Sequence, residues 1–142
     1  MKTYIDTSFL VSLYSPDANS SAAARVMKTS SGDRFLTTFG ELELNNALEL
    51  RVFRKEVSAG QARSSRKDFE QDLRNTVFQM RPLSDQVFER AHQLVRETTA
   101  QFGTRTADLL HVAAALELKA DRLFSFDQQQ RKLAQEVGIK LN

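Results

Sequence analysis

The fold that the sequence predicts is α/β, with a mostly parallel central sheet of four to five strands and helices on both faces. Two observations predict it. Short strand-like runs alternate with longer runs of helical period, the pattern of βαβ units. Gly and Pro number only 5 and 2, so no stretch reads as a linker, and a chain of 142 residues suits one domain with room for a core. There is no repeat and no low-complexity segment.

Lys2 to Ile5 is the first strand. Asp6-Thr7-Ser8 then opens an amphipathic helical run to Tyr14, and Asp17 or Asn19 can cap a helix over Ala22 to Lys28. Arg34 to Thr37 is the second strand. Phe39 to Lys55 is a long amphipathic helix, and Ser58 caps a charged one to about Val77. Gln79 to Leu83 is the third strand; Ser84 caps Val87 to Thr99, and Thr106 begins the run to Lys119. Arg122 to Phe126 is the fourth strand, Asp127 opens Gln128 to Val137, and Gly138 stops that helix. Ile139 to Leu141 carries a weaker strand signal.

Composition removes several functional classes. No apolar stretch approaches the ~20 residues of a membrane span, so no membrane partner is expected. Met1-Lys2 leads straight into strand residues, without the apolar segment of a secretory signal, so a cytoplasmic location is expected. The absence of Cys excludes disulfides, thiolate nucleophiles and thiolate zinc sites. A net charge of +2 permits a polyanionic partner without pointing to one.

Asp6 is the most telling residue, a carboxylate at a strand's carboxyl end immediately before a helix, where open α/β sheets place ligands. Taken alone it reads as a helix N-cap. Its company overturns that reading, because Glu43, Asp108 and Asp127 also fall where the chain enters or leaves an element near the same edge. Carboxylates gathered without lysine repel one another unless a cation joins them. Oxygen ligands select hard metals, magnesium first and manganese next. Glu41 competes with Glu43 for the second position. Two residues apart on a helix they point roughly 200° from each other, so one faces the pocket.

Four stretches then resemble the motifs of PIN-domain proteins: Tyr-Ile-Asp-Thr-Ser-Phe-Leu-Val at 4 to 11, Glu-Leu-Asn-Asn-Ala-Leu at 43 to 48, Ala-Asp-Leu-Leu-His-Val-Ala-Ala-Ala-Leu at 107 to 116, and Leu-Phe-Ser-Phe-Asp at 123 to 127. Their order and spacing are most similar to the VapC-like toxin ribonucleases of type II toxin–antitoxin systems, over nearly the whole chain. The resemblance implies a single PIN domain at 1–142 and a magnesium-dependent endoribonuclease, with manganese as a substitute ion. It places Asp6 at the centre of a metal site with Glu43, Asp108 and Asp127, favours Glu43 over Glu41, and sets Ser8 and Ser125 beside the acids. It also implies products with 5′-phosphate and 3′-hydroxyl ends, a structured RNA substrate, a cognate antitoxin and a homodimer. Arg105 and the basic residues between Arg51 and Arg74 are the candidates to hold the RNA backbone. The antitoxin is expected to lay an amphipathic segment near the helices from Phe39 to Val77 and to aim a basic side chain at the acids.

Other residues have plainer readings. Ser8 reads equally as a helix cap, and His111, three positions after Asp108, reads as a partly buried structural histidine. Arg63, Arg66, Lys67 and Arg74 could track phosphates, yet Glu70 and Asp72 interrupt them as on a solvated face. Phe53 and Phe69 suit either core or interface. Without Cys, and with two histidines in no paired arrangement, activation of water falls to a metal. A haloacid-dehalogenase-like phosphatase needs an Asp where Ser8 stands, and a receiver domain needs an Asp and a Lys at strand ends that lack them. The remaining alternative is a non-catalytic protein- or RNA-binding module of the same fold.

Overall fold

The computed structural model describes residues 1–142. Its elements are β1 (Lys2–Ile5), α1 (Thr7–Tyr14), α2 (Ser20–Thr29), β2 (Asp33–Thr37), α3 (Thr38–Phe53), α4 (Ala59–Arg74), β3 (Gln79–Arg81), α5 (Asp85–Leu94), a π-helical turn (Val95–Thr99), α6 (Ala100–Phe102), α7 (Thr106–Glu117), β4 (Arg122–Phe124), α8 (Gln128–Glu136) and β5 (Lys140–Leu141). The strands form one sheet in the order β3-β2-β1-β4-β5, and every neighbouring pair is parallel. From β1 the chain builds outward through β2 and β3, then returns to the other side of β1 for β4 and β5. The order therefore reverses between β1 and β4, and the carboxyl ends of those two strands open a crevice.

Alternation along the strands divides the core between the two faces of the sheet. Tyr4 and Leu123 join Val87, Leu94, Leu109, Val112 and Leu133 on the face covered by α5, α7 and α8. Ile5 and Phe124, their immediate neighbours in sequence, join Phe9, Leu36, Leu44, Leu48 and Phe69 on the face covered by α1 to α4. Burial on both faces explains why β1 ends on the consecutive apolar pair Tyr4-Ile5 and β4 on Leu123-Phe124. No helix is long and apolar enough to cross a membrane.

Several boundaries differ from the sequence reading for identifiable reasons. β3 stops at Arg81 because Pro82 has no N–H for the ladder. β4 stops at Phe124 because the next two amides leave the sheet: Ser125 donates to the Asn142 side chain and Phe126 to Ser8 Oγ. Asn19 and Ser84 stand at helix starts without capping through their side chains. The helix expected to run to Thr99 widens into the π-helical turn after Leu94, where buried Thr98 Oγ1 donates back to the Leu94 carbonyl at 2.6 Å. It ends at Gly103, whose φ of +64° is the left-handed conformation a glycine accepts readily. By contrast Ser58 caps α4 as expected, completed into a capping box by Gln61.

Candidate metal-dependent active site

Asp6 is a helix cap as well as a candidate site residue. Fully buried at the end of β1, it accepts the Phe9 N–H on Oδ1 at 2.9 Å and so starts α1. Ser8 Oγ lies 2.8 and 2.9 Å from its two oxygens, and Ser125 Oγ donates to Oδ2 at 2.6 Å. Burial pushes its carboxyl above the ordinary value, outweighing the His111 charge and the Ser125, Phe9 and Ser8 hydrogen bonds, all of which pull it down. A carboxylate held this way becomes a far better partner once a cation arrives.

The next two acids are tied to the same edge through shared polar side chains. Ser125 Oγ also accepts the Asp127 N–H at 3.0 Å, and Asp127 in turn caps α8 by accepting the Gln130 N–H at 2.9 Å. Gln130 is buried, and its Nε2 donates to Asp108 Oδ1 at 3.1 Å. Asp108 lies in the first turn of α7, 5% exposed. Its Oδ2 and the Gln130 Oε1 are both buried acceptors without a donor. The one cation near Asp108 is Arg105, whose Nε stands 3.7 Å from Oδ2 on a side chain that is 81% exposed.

Glu43 occupies a different branch. Thr7 Oγ1 donates to Glu43 Oε1 at 2.6 Å, and His111 Nε2 hydrogen-bonds the same oxygen. The other ring nitrogen, Nδ1, bonds the buried Tyr4 hydroxyl at 2.8 Å. Burial raises the Glu43 carboxyl, but the His111 hydrogen bond and charge, with Thr7, outweigh it and hold Glu43 below its usual range. Of the two candidate glutamates, Glu43 thus faces the interior edge. His111 is 1% exposed, not partly buried, and it joins β1, α3 and α7 through Tyr4 and Glu43. The sequence reading missed this link; the three-residue spacing from Asp108 showed the shared helix face, but nothing in the chain announced Tyr4 or Glu43 as partners.

All four acids therefore lie at the carboxyl edge of the sheet, while no three His, Asp or Glu side chains stand together as a ready-made metal group. Asp6, Asp108 and Asp127 are linked through Ser125 and Gln130, and Glu43 meets α1 through Thr7. The donor set nonetheless fits a hard cation. It consists of carboxylate, hydroxyl and amide oxygens, and two buried acceptors in it lack a hydrogen-bond donor. The amino ends of α1, α7 and α8 meet at this edge and add a positive field.

Residues expected at the periphery fall into two groups. Phe69 is core at 1% exposed, whereas Phe53 is 82% exposed on α3. Arg66 is engaged by Glu49 and Asn45, and Asp72, which interrupts the basic residues, accepts from the Tyr14 hydroxyl.

The family model of the PIN domain matches residues 3–136. The chain belongs to the PIN-domain family. No curated protein sequence matches it. Among solved structures, this PIN domain is similar to Mycobacterium tuberculosis VapC20, a sarcin-ricin loop cleaving toxin, at 16% identity and a TM-score of 0.71 over 92% of this chain and 93% of that one. It is also similar to a toxin–antitoxin complex from Klebsiella pneumoniae, at 15% identity and a TM-score of 0.64 over 91% and 89% of the two chains. A third similarity is to VapBC2 from Rickettsia felis bound to a DNA fragment from its promoter, at 17% identity and a TM-score of 0.68 over 100% and 98%. At these identities the likeness concerns the fold of the PIN domain alone.

Proposed function

We propose that this chain is a magnesium-dependent endoribonuclease and the toxin of a VapBC-like toxin–antitoxin pair. The observation that carries the reading is a fully buried Asp6 linked through Ser125, Asp127 and Gln130 to a buried Asp108 whose Oδ2 has no donor, by the crevice where the strand order reverses. Asp6 and Asp108 would hold the magnesium, directly or through water, and Asp127 and Glu43 would complete its surroundings. When bound, magnesium supplies a Lewis acid that lowers the pKa of water and neutralises charge on the phosphoryl group; manganese can substitute. Ser8 and Ser125 keep both Asp6 oxygens aimed. Glu43 or Asp127 would accept the single proton released by the attacking water. Thr7 and His111 fix one Glu43 oxygen, leaving the other for that task. Exposed Arg105 positions the RNA backbone beside Asp108.

The partner in this reading is a cognate antitoxin, in keeping with the toxin–antitoxin complex of similar fold. Leu42 and Phe53, 65% and 82% exposed, project from nearly the same side of α3 and offer apolar anchors for an amphipathic segment. An Arg delivered to Asp6, Asp108 and Asp127 would take the place of the cation. The chain is also expected to form a homodimer and to act in the cytoplasm.

A second reading, a non-catalytic PIN module that binds protein or RNA, draws on the engagement of Glu43 by His111 and Thr7 and on the absence of a three-acid group. Incubating the purified chain with structured RNAs and magnesium separates the two. Sparse cuts that vanish on chelation, leaving 5′-phosphate ends, support the nuclease; no cleavage under any divalent cation supports the module.

A further inference from the structure

The crevice beside Asp127 opens into a shallow, solvent-open pocket of about 340 Å³, and we propose that it is a nucleobase subsite that holds the base of a nucleotide neighbouring the cut phosphodiester. This rests on the nuclease reading. Ser8 and Asp127 connect the cavity to the acids, and Phe126, Asn19 and Arg51 also line it. Its volume lies at the lower end of the roughly 300–1,000 Å³ range of small-molecule pockets, a size suited to one base and its ribose.

Phe126 supplies the stacking surface. Its ring lies on that of buried Phe9, with centroids 5.4 Å apart and planes 12° from parallel, and Phe9 packs in turn on Phe124 at 5.2 Å. The ring is thus braced by the core, yet Phe126 stays partly exposed and lines the cavity next to a proposed metal-holding residue. Aromatic platforms of this kind take splayed bases of single-stranded RNA. The polar lining suits a base edge better than a second phosphate. Arg51 is fixed by Ser15 and Asp17, each at 2.8 Å, so its charge is already balanced while its guanidinium is held still. Asn19 makes no capping bond with its side chain, which leaves an amide able both to donate and to accept.

The test uses short single-stranded RNAs in which one nucleotide at a time is replaced by an abasic ribose, with binding measured by fluorescence anisotropy in an Asp108→Asn background. One abasic position should weaken binding by about 5- to 150-fold, the range for a lost base–aromatic stack. Adding Phe126→Leu should erase that difference without lowering affinity for the abasic RNA, and Asn19→Ala should alter base preference at the same position. Circular dichroism confirms that both variants fold. Absence of RNA binding, indifference to every abasic position, or equal weakening of all RNAs by Phe126→Leu overturns the subsite. Loss of antitoxin binding on Phe126→Leu without any base dependence assigns the cavity to the protein partner and also overturns it. If base-dependent binding appears but the parent chain cleaves no RNA in magnesium, the nuclease reading fails and with it the placement beside a cut bond, while the base-binding site itself stands.

Discussion

Ser125 donates to Asp6 at 2.6 Å and so joins the end of β4 to the end of β1 at the crevice. The same hydroxyl oxygen accepts the Asp127 N–H, so one small side chain orients two acids that lie far apart in sequence. Ser125→Ala removes a donor from a buried carboxylate and should lower stability by about 1–3 kcal/mol. Lost aim at Asp6 should also raise the magnesium needed for half-maximal cleavage by about 10- to 100-fold. Urea unfolding and a magnesium titration of cleavage measure the two effects. Unchanged magnesium dependence with lowered stability would reduce Ser125 to a structural role.

Replacing Asp6 or Asp108 by Asn should abolish RNA cleavage while the fold persists. In Asp6→Asn the side chain keeps an oxygen for the Phe9 N–H, and its new amide can donate to Ser125. Asp6 has a raised carboxyl pKa, so at neutral pH its ionised form costs the metal-free protein stability. Asp6→Asn should therefore melt no lower than the parent in chelator, and magnesium should stabilise the parent more than the variant. A large drop in melting temperature without metal would show that Asp6 mainly holds the fold.

The acids should give opposite limbs to the stability–pH curve of the metal-free protein. Asp6, raised in the folded state, binds more protons there than when unfolded, so its contribution falls as pH rises from the ordinary carboxylate range through its raised value. Glu43 is lowered from 4.5, so its contribution is complete above that value and disappears as pH falls through the folded one. Glu43→Gln should flatten the acid limb, and Asp6→Asn should flatten the decline on the other side. Urea midpoints measured across the acid range decide both signs.

Arg105 should matter to RNA and not to the fold. Its side chain is 81% exposed and its contact with Asp108 is 3.7 Å long, so Arg105→Ala should change stability by no more than about 0.5 kcal/mol. RNA affinity should fall across sequences, and the slope of log affinity against log salt should shrink by about 0.7 if one phosphate contact is lost. An unchanged slope would remove Arg105 from the RNA path.

The two phenylalanines of undecided role should separate cleanly. Phe69→Ala, at a site 1% exposed, should cost about 3–5 kcal/mol, whereas Phe53→Ala, at 82% exposed, should stay within about 0.5 kcal/mol. Only Phe53→Ala, alone or with Leu42→Ala, should weaken capture of the proposed antitoxin, tested with the product of the neighbouring reading frame. Co-purification of the two proteins reads that directly, and undiminished capture would move the partner surface away from α3.

By itself the sequence determined the alternation of strands and helices, the three aspartates at element ends and the order of the four family motifs, whereas Glu43 lies within α3 and not at its end. These are local signals: side-chain period, caps such as Ser58 with Gln61, and a carboxylate just beyond an apolar strand all act over a few residues. Tertiary structure decided what those residues touch. The strand order β3-β2-β1-β4-β5 put Ser125 against Asp6, and packing of α7 behind β1 placed His111 between Tyr4 and Glu43. It also turned β4 out of the ladder at Ser125, where the amides of Ser125 and Phe126 found side-chain acceptors instead of a neighbouring strand. Such partners lie up to 119 residues apart, and no period or spacing along a chain encodes which distant oxygen will stand nearest once the sheet has closed its order.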